Sequence, residues 1–478
     1  MTDKMTRRDM IGLTGAGIGA TLLGGAGTSA WAAEGSALPR PTPAQVRWQN
    51  CEIGAIFHYE LPTAAGDHTE NNATRKTFDP KLYNPGKLDT DQWVQAAKAG
   101  GAKYAVFTAT HFNGFMQWQS DLYPYGVKQA AWRDGKGDVV ADFVESCRKA
   151  DILPGIYFST HRNVYQTVWD HYVDWGRGRG TEAQAAYNRI AEKQCEELCS
   201  RYGDLLQIWF DAGVMTPEQG GPDVLPVFEK HQPDSVFYHS ADRIDHRWIG
   251  NEQGNASYPC WATMPGKGNA ISPAFYSSPE SSRRELLGTG DPDGAVWSPG
   301  MATMCLRGAR GAHDWLWYPN RRPEHLYSVD QLMGMYDRTV GRNSNIVIGL
   351  VVNPEGLVPE MDVRRMEEFG KALQTRFDNP LGSVSGQGRE IALPLSQPGK
   401  PDLLVIQEDI AGGERVRKYL VEGRTPAGEW IELAQGQSIG HKRIQKLVPS
   451  ADVDVLRLLV PESRARPLIK SFACYSEG

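Results

Sequence analysis

The sequence predicts an α/β fold, an eight-stranded (β/α)8 barrel followed by a small antiparallel β-sandwich. Three observations carry that expectation. Apolar runs of strand length alternate with amphipathic helical patterns over residues 46–380, the mark of parallel strands joined by helices. Four of the first five runs end directly on His58, His111, Asp211 and His239, and the remaining one reaches Ser159 with His161 just beyond. Barrels of this kind gather reacting groups at the C-terminal ends of their strands. A nucleotide-binding doubly wound sheet would instead expect a glycine-rich turn after its first strand, and none follows His58. From Gly386 onward the hydrophobic period shortens toward 2, in short runs separated by turn residues, as in a small sandwich. A length of 478 residues suits one large barrel plus one smaller module.

The chain opens with Arg7-Arg8 ahead of an apolar, glycine-rich stretch from Ile11 to Gly27, then small residues around Ala30-Trp31-Ala32. That order reads as a bacterial twin-arginine signal over residues 1–32, which implies export of an already folded protein to the periplasm or beyond. A membrane span needs ~20 strongly apolar residues. This stretch is too short and too rich in glycine, so no stable membrane insertion is expected. Residues 33–45 form a Pro-rich linker, 46–380 the barrel and 381–478 the sandwich.

Within the barrel, strand patterns cover residues 53–58, 104–109, 152–159, 204–211 and 235–238. Asp89 and Gly100-Gly101 bracket a helix, and residues 138–144 and 182–201 have helical spacing. Residues 250–318 are loop-rich, with Pro259, Pro265, Pro273, Pro279, Pro292 and Pro299, and long loops of this kind often wall an active site. A helix beginning at Ser328, a strand over 345–350 and a helix from Pro359 to Phe377 complete the barrel. The sandwich is expected from runs at 403–406, 417–422, 429–433 and 455–460.

The stretch Gln207-Ile208-Trp209-Phe210-Asp211 organises the rest. An apolar strand ends on a carboxylate and is followed by Ala212-Gly213, so the charge leaves the packed strand. Locally, Asp211 can be a reacting group or the cap of the next turn.

Composition narrows the partners. The net charge of -6 is spread along the chain with no basic run able to track phosphates, which argues against nucleic acid. Fourteen Trp and 18 Tyr favour stacking against sugars, although most such rings are simply core. The seven cysteines are scattered, and only Cys195 and Cys199 are near one another, one helical turn apart. Their spacing suits buried thiols better than zinc or disulfides. No metal or cofactor is expected, because no His-x-His follows the first strand and no Lys closes a mid-barrel strand as in amidohydrolase barrels. The sequence assigns no oligomeric state.

Several segments, taken in order, resemble the α-L-fucosidases of glycoside hydrolase family 29. They are Ile56-Phe57-His58, the run Thr110-His111-Phe112-Asn113-Gly114-Phe115-Met116-Gln117-Trp118, Gly155-Ile156-Tyr157-Phe158-Ser159, Trp209-Phe210-Asp211, and the stretch from Gly341 through Asn353 to Glu360. Two more, Arg247 to Gly254 and Gly290 to Trp297, are similar to the branch usually acting on α-1,3/1,4-linked fucose, as is the sandwich around Ser438 to Ile444. The resemblance implies a retaining exo-glycosidase acting on an oligosaccharide or polysaccharide, with Asp211 as nucleophile and Glu252 as acid/base. It also implies sugar contacts from His58, His111, Tyr157 and Trp209, with Trp118 nearby, and a galactose-binding-like sandwich that braces the barrel.

There are departures. Where the family has two adjacent histidines this chain has His111-Phe112, and the family Asp is Asn113. The polar insert with His68 and Glu70 lacks the family's Glu-Trp pair, and Gly300-Met301-Ala302-Thr303 stands where an acidic stretch is usual. Phe112 is either a pocket wall or a core ring. A lost hydroxyl contact leaves room for a related L-sugar such as α-L-galactose, or for a carbohydrate-binding protein that does no chemistry. Glu218, Glu280 and Glu285 rival Glu252 as the acid, and His161 and His239 remain open between structural and sugar-binding roles.

Overall fold

The computed structural model describes residues 38–67, 75–265, 281–448 and 451–476. The signal over residues 1–32, His68, Glu70 and Glu280 lie outside the described residues. Helix α1, Pro43–Gln49, starts on a Thr42 capping box with Pro43 in its first turn, so part of the stretch read as linker is helical.

Eight parallel strands form the barrel: β1 Ile53–His58, β2 Tyr104–Thr110, β3 Leu153–Phe158, β4 Gln207–Val214, β5 Val236–Ser240, β6 Arg247–Trp248, β7 Gly300–Cys305 and β8 Ser344–Val351. They pair in the order β5-β4-β3-β2-β1-β8-β7-β6. At the open edge of β5, Asp245 takes the ladder's place: its Oδ2 accepts from Phe237 N at 2.7 Å and its own N–H donates to Phe237 O at 3.2 Å. Crossover helices α2 Thr90–Ala99, α3 Val139–Lys149, α4 Glu182–Arg201, α5 Leu225–His231, α6 Ser281–Thr289, α7 Val329–Thr339 and α8 Glu360–Phe377 follow in the chain. The caps Asp89, Asp138, Thr181 and Ser328 each accept a backbone N–H from the first turn, and Gly100 closes α2.

Two short strands depart from the sequence expectation. The segment read as loop-rich contains β7, buried along its whole length and parallel to β8 from Gly300 opposite Ser344 to Cys305 opposite Gly349. β6, which lies at the start of the long segment before β7, pairs with it through Arg247 and Trp248. Both escape a pattern search, because β6 is two residues long and β7 has no β-branched residue except Thr303.

The barrel interior is filled by Ile56, Tyr104, Val106, Tyr157, Leu206, Trp209, Tyr238, Met301 and Val347. Trp48 of α1 closes the end opposite the strands' C-termini. Its indole donates to Gln207 Oε1 at 3.0 Å and stacks on His246 at 4.3 Å, which in turn stacks on Tyr238 at 4.6 Å.

The C-terminal strands are β9 Gly382–Gln387, β10 Glu390–Gly399, β11 Leu403–Glu408, β12 Val416–Arg424, β13 Trp430–Gly436, β14 Arg443–Lys446, β15 Val453–Ser463 and β16 Leu468–Tyr475. They form two antiparallel four-stranded sheets, β9-β16-β11-β14 and β10-β15-β12-β13, around their own core of Leu393, Ile406, Val421, Leu458 and Phe472. A polar seam ties this sandwich to the barrel. Lys442 Nζ reaches Glu52 Oε2 at 2.6 Å, Asn343 Oδ1 accepts from His441 N at 2.8 Å, and Glu414 accepts from Ala262 N at 2.9 Å and from Asn343 Nδ2. All seven cysteines are free and buried, with the Cys195 and Cys199 sulfurs 3.8 Å apart. No helix among the described residues is long and apolar enough to cross a membrane.

Candidate active site

At the C-terminal end of the strands lies a cavity of about 460 Å³, within the ordinary range for small-ligand sites. His58, His111, Tyr157, Trp209, Asp211 and Glu252 all line it. Six of the seven residues singled out from the sequence therefore meet in one place, although 41 positions separate Asp211 from Glu252 (252 − 211).

Asp211 owes its position to a break in β4. The strand runs on to Val214, but its register with β5 shifts between Trp209 and Val214, and Ala212 and Gly213 adopt left-handed φ of 57° and 79°. The backbone turns at these two residues, so Asp211 leaves the ladder and faces the cavity. Its Oδ2 accepts from Tyr157 Oη at 3.2 Å. Burial, then the Asp211 charge, pushes the Tyr157 hydroxyl well above its usual range, so it stays protonated and donating.

Glu252 comes from the loop after β6, pinned to β7 by Ile249 N to Met301 O and Gly254 N to Thr303 O, both 3.1 Å. Its Oε2 accepts from His313 Nε2 at 2.7 Å and from Trp315 Nε1 at 3.0 Å. Gly349 of β8 makes room for that indole, since a Cβ there would lie 2.5 Å from the Trp315 ring. The rivals stand elsewhere: neither Glu218 nor Glu285 lines the cavity.

Beneath the histidines sits a carboxylate that sequence reasoning passed over. Glu60, 2 % exposed, accepts from His111 Nδ1 at 2.9 Å and Asn113 Nδ2 at 2.5 Å. An acceptor-only partner at Nδ1 places the proton there and leaves Nε2 of His111 as the ring's other polar atom. Asn113 is thus a buried strut that also accepts from Phe115 N at 2.6 Å, and the Asp-to-Asn departure alters the floor of the site rather than its wall. Phe112 does line the wall, stacked on His111 at 4.2 Å. His58 packs edge-on to His111 at 5.3 Å, and burial together with His111 holds its pKa well below the usual histidine value, so the ring is neutral.

Trp118 is the correction. Its ring is fully buried in the core outside the barrel, and its indole donates to Glu197 Oε2 on α4 at 2.8 Å, away from the cavity. The chain turns back after Gly114, which carries Trp118 toward the helix layer instead of the cavity. His161 holds Asp170 at 3.1 Å, His239 is fully buried, and neither lines the cavity. Sequence reasoning also missed Tyr238, Trp248, Thr303, His313, Trp315 and Tyr318, which do. For His313, Trp315 and Tyr318 the visible signal was the dense run His313-Asp314-Trp315-Leu316-Trp317-Tyr318 inside the loop-rich segment.

A family model described as Alpha-L-fucosidase matches residues 29–376. The chain belongs to the α-L-fucosidase family. These enzymes are glycoside hydrolases of family 29, and the relatives agree. A protein called alpha-L-fucosidase 1 from Arabidopsis thaliana is 27% identical over 92% of this chain and 88% of its own length. A solved structure of a putative α-L-fucosidase from Bacteroides thetaiotaomicron is 43% identical, covers 92% of this chain and 100% of that one, and superposes with a TM-score of 0.87. A Ruminococcus gnavus family 29 fucosidase solved with fucose shares the fold at a TM-score of 0.75 and 22% identity, covering 94% of this chain and 97% of that one. As a member of the α-L-fucosidase family, this chain acts on a glycan substrate, and the cavity described above is where its two gripped carboxylates meet.

Proposed function

We propose that this protein is an exo-acting, retaining α-L-fucosidase with Asp211 as nucleophile and Glu252 as acid/base. The observation that carries the reading is that both carboxylates line one cavity while each is held by its own donors. Retaining hydrolysis places the two carboxyl groups roughly 5 to 5.5 Å apart, one attacking the anomeric carbon and the other protonating the leaving oxygen. Asp211, at the break within β4 and steadied by Tyr157, suits attack and release of a glycosyl ester. Glu252, on a loop under two N–H donors, suits the proton transfers: it donates to the departing oxygen, then takes a proton from the water that cleaves the ester.

The rings of Tyr157, Trp209, Tyr238 and Trp315 in the lining of a cavity of this size suit a single terminal sugar. The segments Arg247 to Gly254 and Gly290 to Trp297 favour the α-1,3/1,4 branch, and the Arg7-Arg8 signal favours export. Phe112 in the wall is the observation that keeps a related L-sugar such as α-L-galactose in view.

Incubation with a panel of aryl α-L-glycosides, followed by NMR, tests the reading. Turnover of the fucoside with α-L-fucose as the first product supports it. β-L-fucose as the first product contradicts the retaining mechanism, and binding without turnover of any L-glycoside contradicts the enzyme.

A further inference from the structure

We infer that the loop after β3 builds a subsite beyond the cavity for an aglycone bearing a carboxylate or sulfate, with Arg162 as the residue that binds the anion. The inference rests on the fucosidase reading of the cavity and names the class of leaving group it accepts.

A continuous stack leaves the cavity at His111. Phe112 lies on His111 at 4.2 Å, the Arg162 guanidinium lies 5.2 Å from the Phe112 ring centre and 4.1 Å from that of Trp169, and Arg75 lies 4.6 Å from Trp169 and 4.8 Å from Trp175. Two guanidiniums thus alternate with three rings, starting from a residue that lines the cavity. Rings covering the faces of a guanidinium leave its N–H donors pointing out along the edge, the geometry that grips a carboxylate or sulfate through two hydrogen bonds.

Those donors are unused. Among the described residues the Arg162 side chain makes no hydrogen bond and no ion pair, and its Nε is enclosed without an acceptor. The nearby acids Asp170 and Asp211 act on its charge through space but do not bond it: Asp170 accepts from His161 Nε2 at 3.1 Å and Asp211 from Tyr157 Oη at 3.2 Å. The backbone of Arg162 is held at both ends, its N–H donating to Ser159 Oγ at 3.4 Å and its C=O accepting from the same hydroxyl at 3.3 Å. Arg162 is therefore a cation fixed at its root, set against two rings and, among the described residues, without a hydrogen-bonded or ion-paired acid. Charge-assisted bonds of that kind exceed a neutral hydroxyl contact by enough to set a preference. Trp169 and Trp175 are partly exposed, and they offer the apolar faces on which a sugar or aryl ring stacks.

The test compares para-carboxyphenyl α-L-fucoside with its neutral methyl ester, measuring kcat/KM for each. The expected result is that Arg162→Gln lowers the ratio of acid to ester by roughly tenfold or more. Arg162→Lys, which keeps the charge but loses the fork, should fall between, and added salt should erode the parent's preference for the acid. Equal losses on both glycosides, or an unchanged ratio, would overturn the inference and leave Arg162 as a stacking strut. Titrating the same pair against the Asp211→Ala protein reads the binding preference without turnover. If the parent hydrolyses neither glycoside, the fucosidase reading fails, while that titration still decides for or against the anion subsite.

Discussion

Asp211 and Glu252 are gripped in different ways, and the difference follows from where each stands. The nucleophile candidate has one hydroxyl donor and sits just before two left-handed residues that break the strand's register. The acid/base candidate shares a single oxygen between an imidazole and an indole. Glu60 plays a third part, since it touches no cavity but orients His111. Glu60→Gln should therefore lower kcat/KM on an aryl fucoside roughly tenfold, the loss of one charge-assisted hydrogen bond of about 1.5 kcal/mol, with the circular dichroism spectrum unchanged. An unchanged kcat/KM would show that His111 needs no such support. Asp211, His58 and His111 were legible in the sequence because each closes an apolar run, and Glu252 because its segment resembles a known one. Glu60 was hidden because it lies two residues past a strand end, and its role appears only when β2 brings Asn113 beside it.

At the level of elements, the parallel ladder positions the site through small residues as much as through large ones. Gly349 lies opposite Cys305 in the β7–β8 ladder, and the space its missing Cβ leaves is filled by the Trp315 ring. Gly349→Ala should push the indole off Glu252, lowering kcat more than KM for a poor leaving group. Such a strand Gly→Ala change is cheap in stability by itself, so a large loss of kcat with little change in melting temperature would identify the ring displacement. The strands that were legible, β1 to β5 and β8, are those with continuous apolar runs between turn residues. β7 was not, since Gly300-Met301-Ala302-Thr303-Met304-Cys305 carries small and flexible residues and follows Pro299. Residues of this segment pair along β8 in the barrel, and among them Thr303 lines the cavity and accepts from Trp248 Nε1 at 3.0 Å.

For the whole molecule, the barrel and the sandwich are joined by buried ionisable groups, which makes their union sensitive to pH. Burial, reinforced by Glu408, raises the Glu414 carboxyl from 4.5 to about 7. A raised carboxyl pKa means that the folded state holds the proton more tightly than the unfolded chain. The stability tied to Glu414 is therefore present below 4.5 and lost as pH rises toward 7, by an amount on the order of 3 kcal/mol. Glu52 runs the other way: burial opposes its charge, the attraction of Lys442 and His441 with the hydrogen bonds from Lys442 and Tyr336 together outweighs burial, and its contribution is lost on acidification instead. Thermal melts at about pH 5 and about pH 8 should show a smaller fall for Glu414→Gln than for the parent, and equal falls would place the pH sensitivity elsewhere. The alternation of strands and helices and the change of period near Gly386 made both modules legible, but the seam was not, because Glu52, Asn343 and Glu414 are polar residues from three distant parts of the chain. The mechanism turns on which carboxylate forms the glycosyl ester. Inactivation with 2-fluorofucosyl fluoride followed by peptide mass spectrometry tests this most directly. The expected result is one fluorofucosyl adduct on the peptide carrying Asp211, absent from Asp211→Ala. An adduct on any other carboxylate would contradict it.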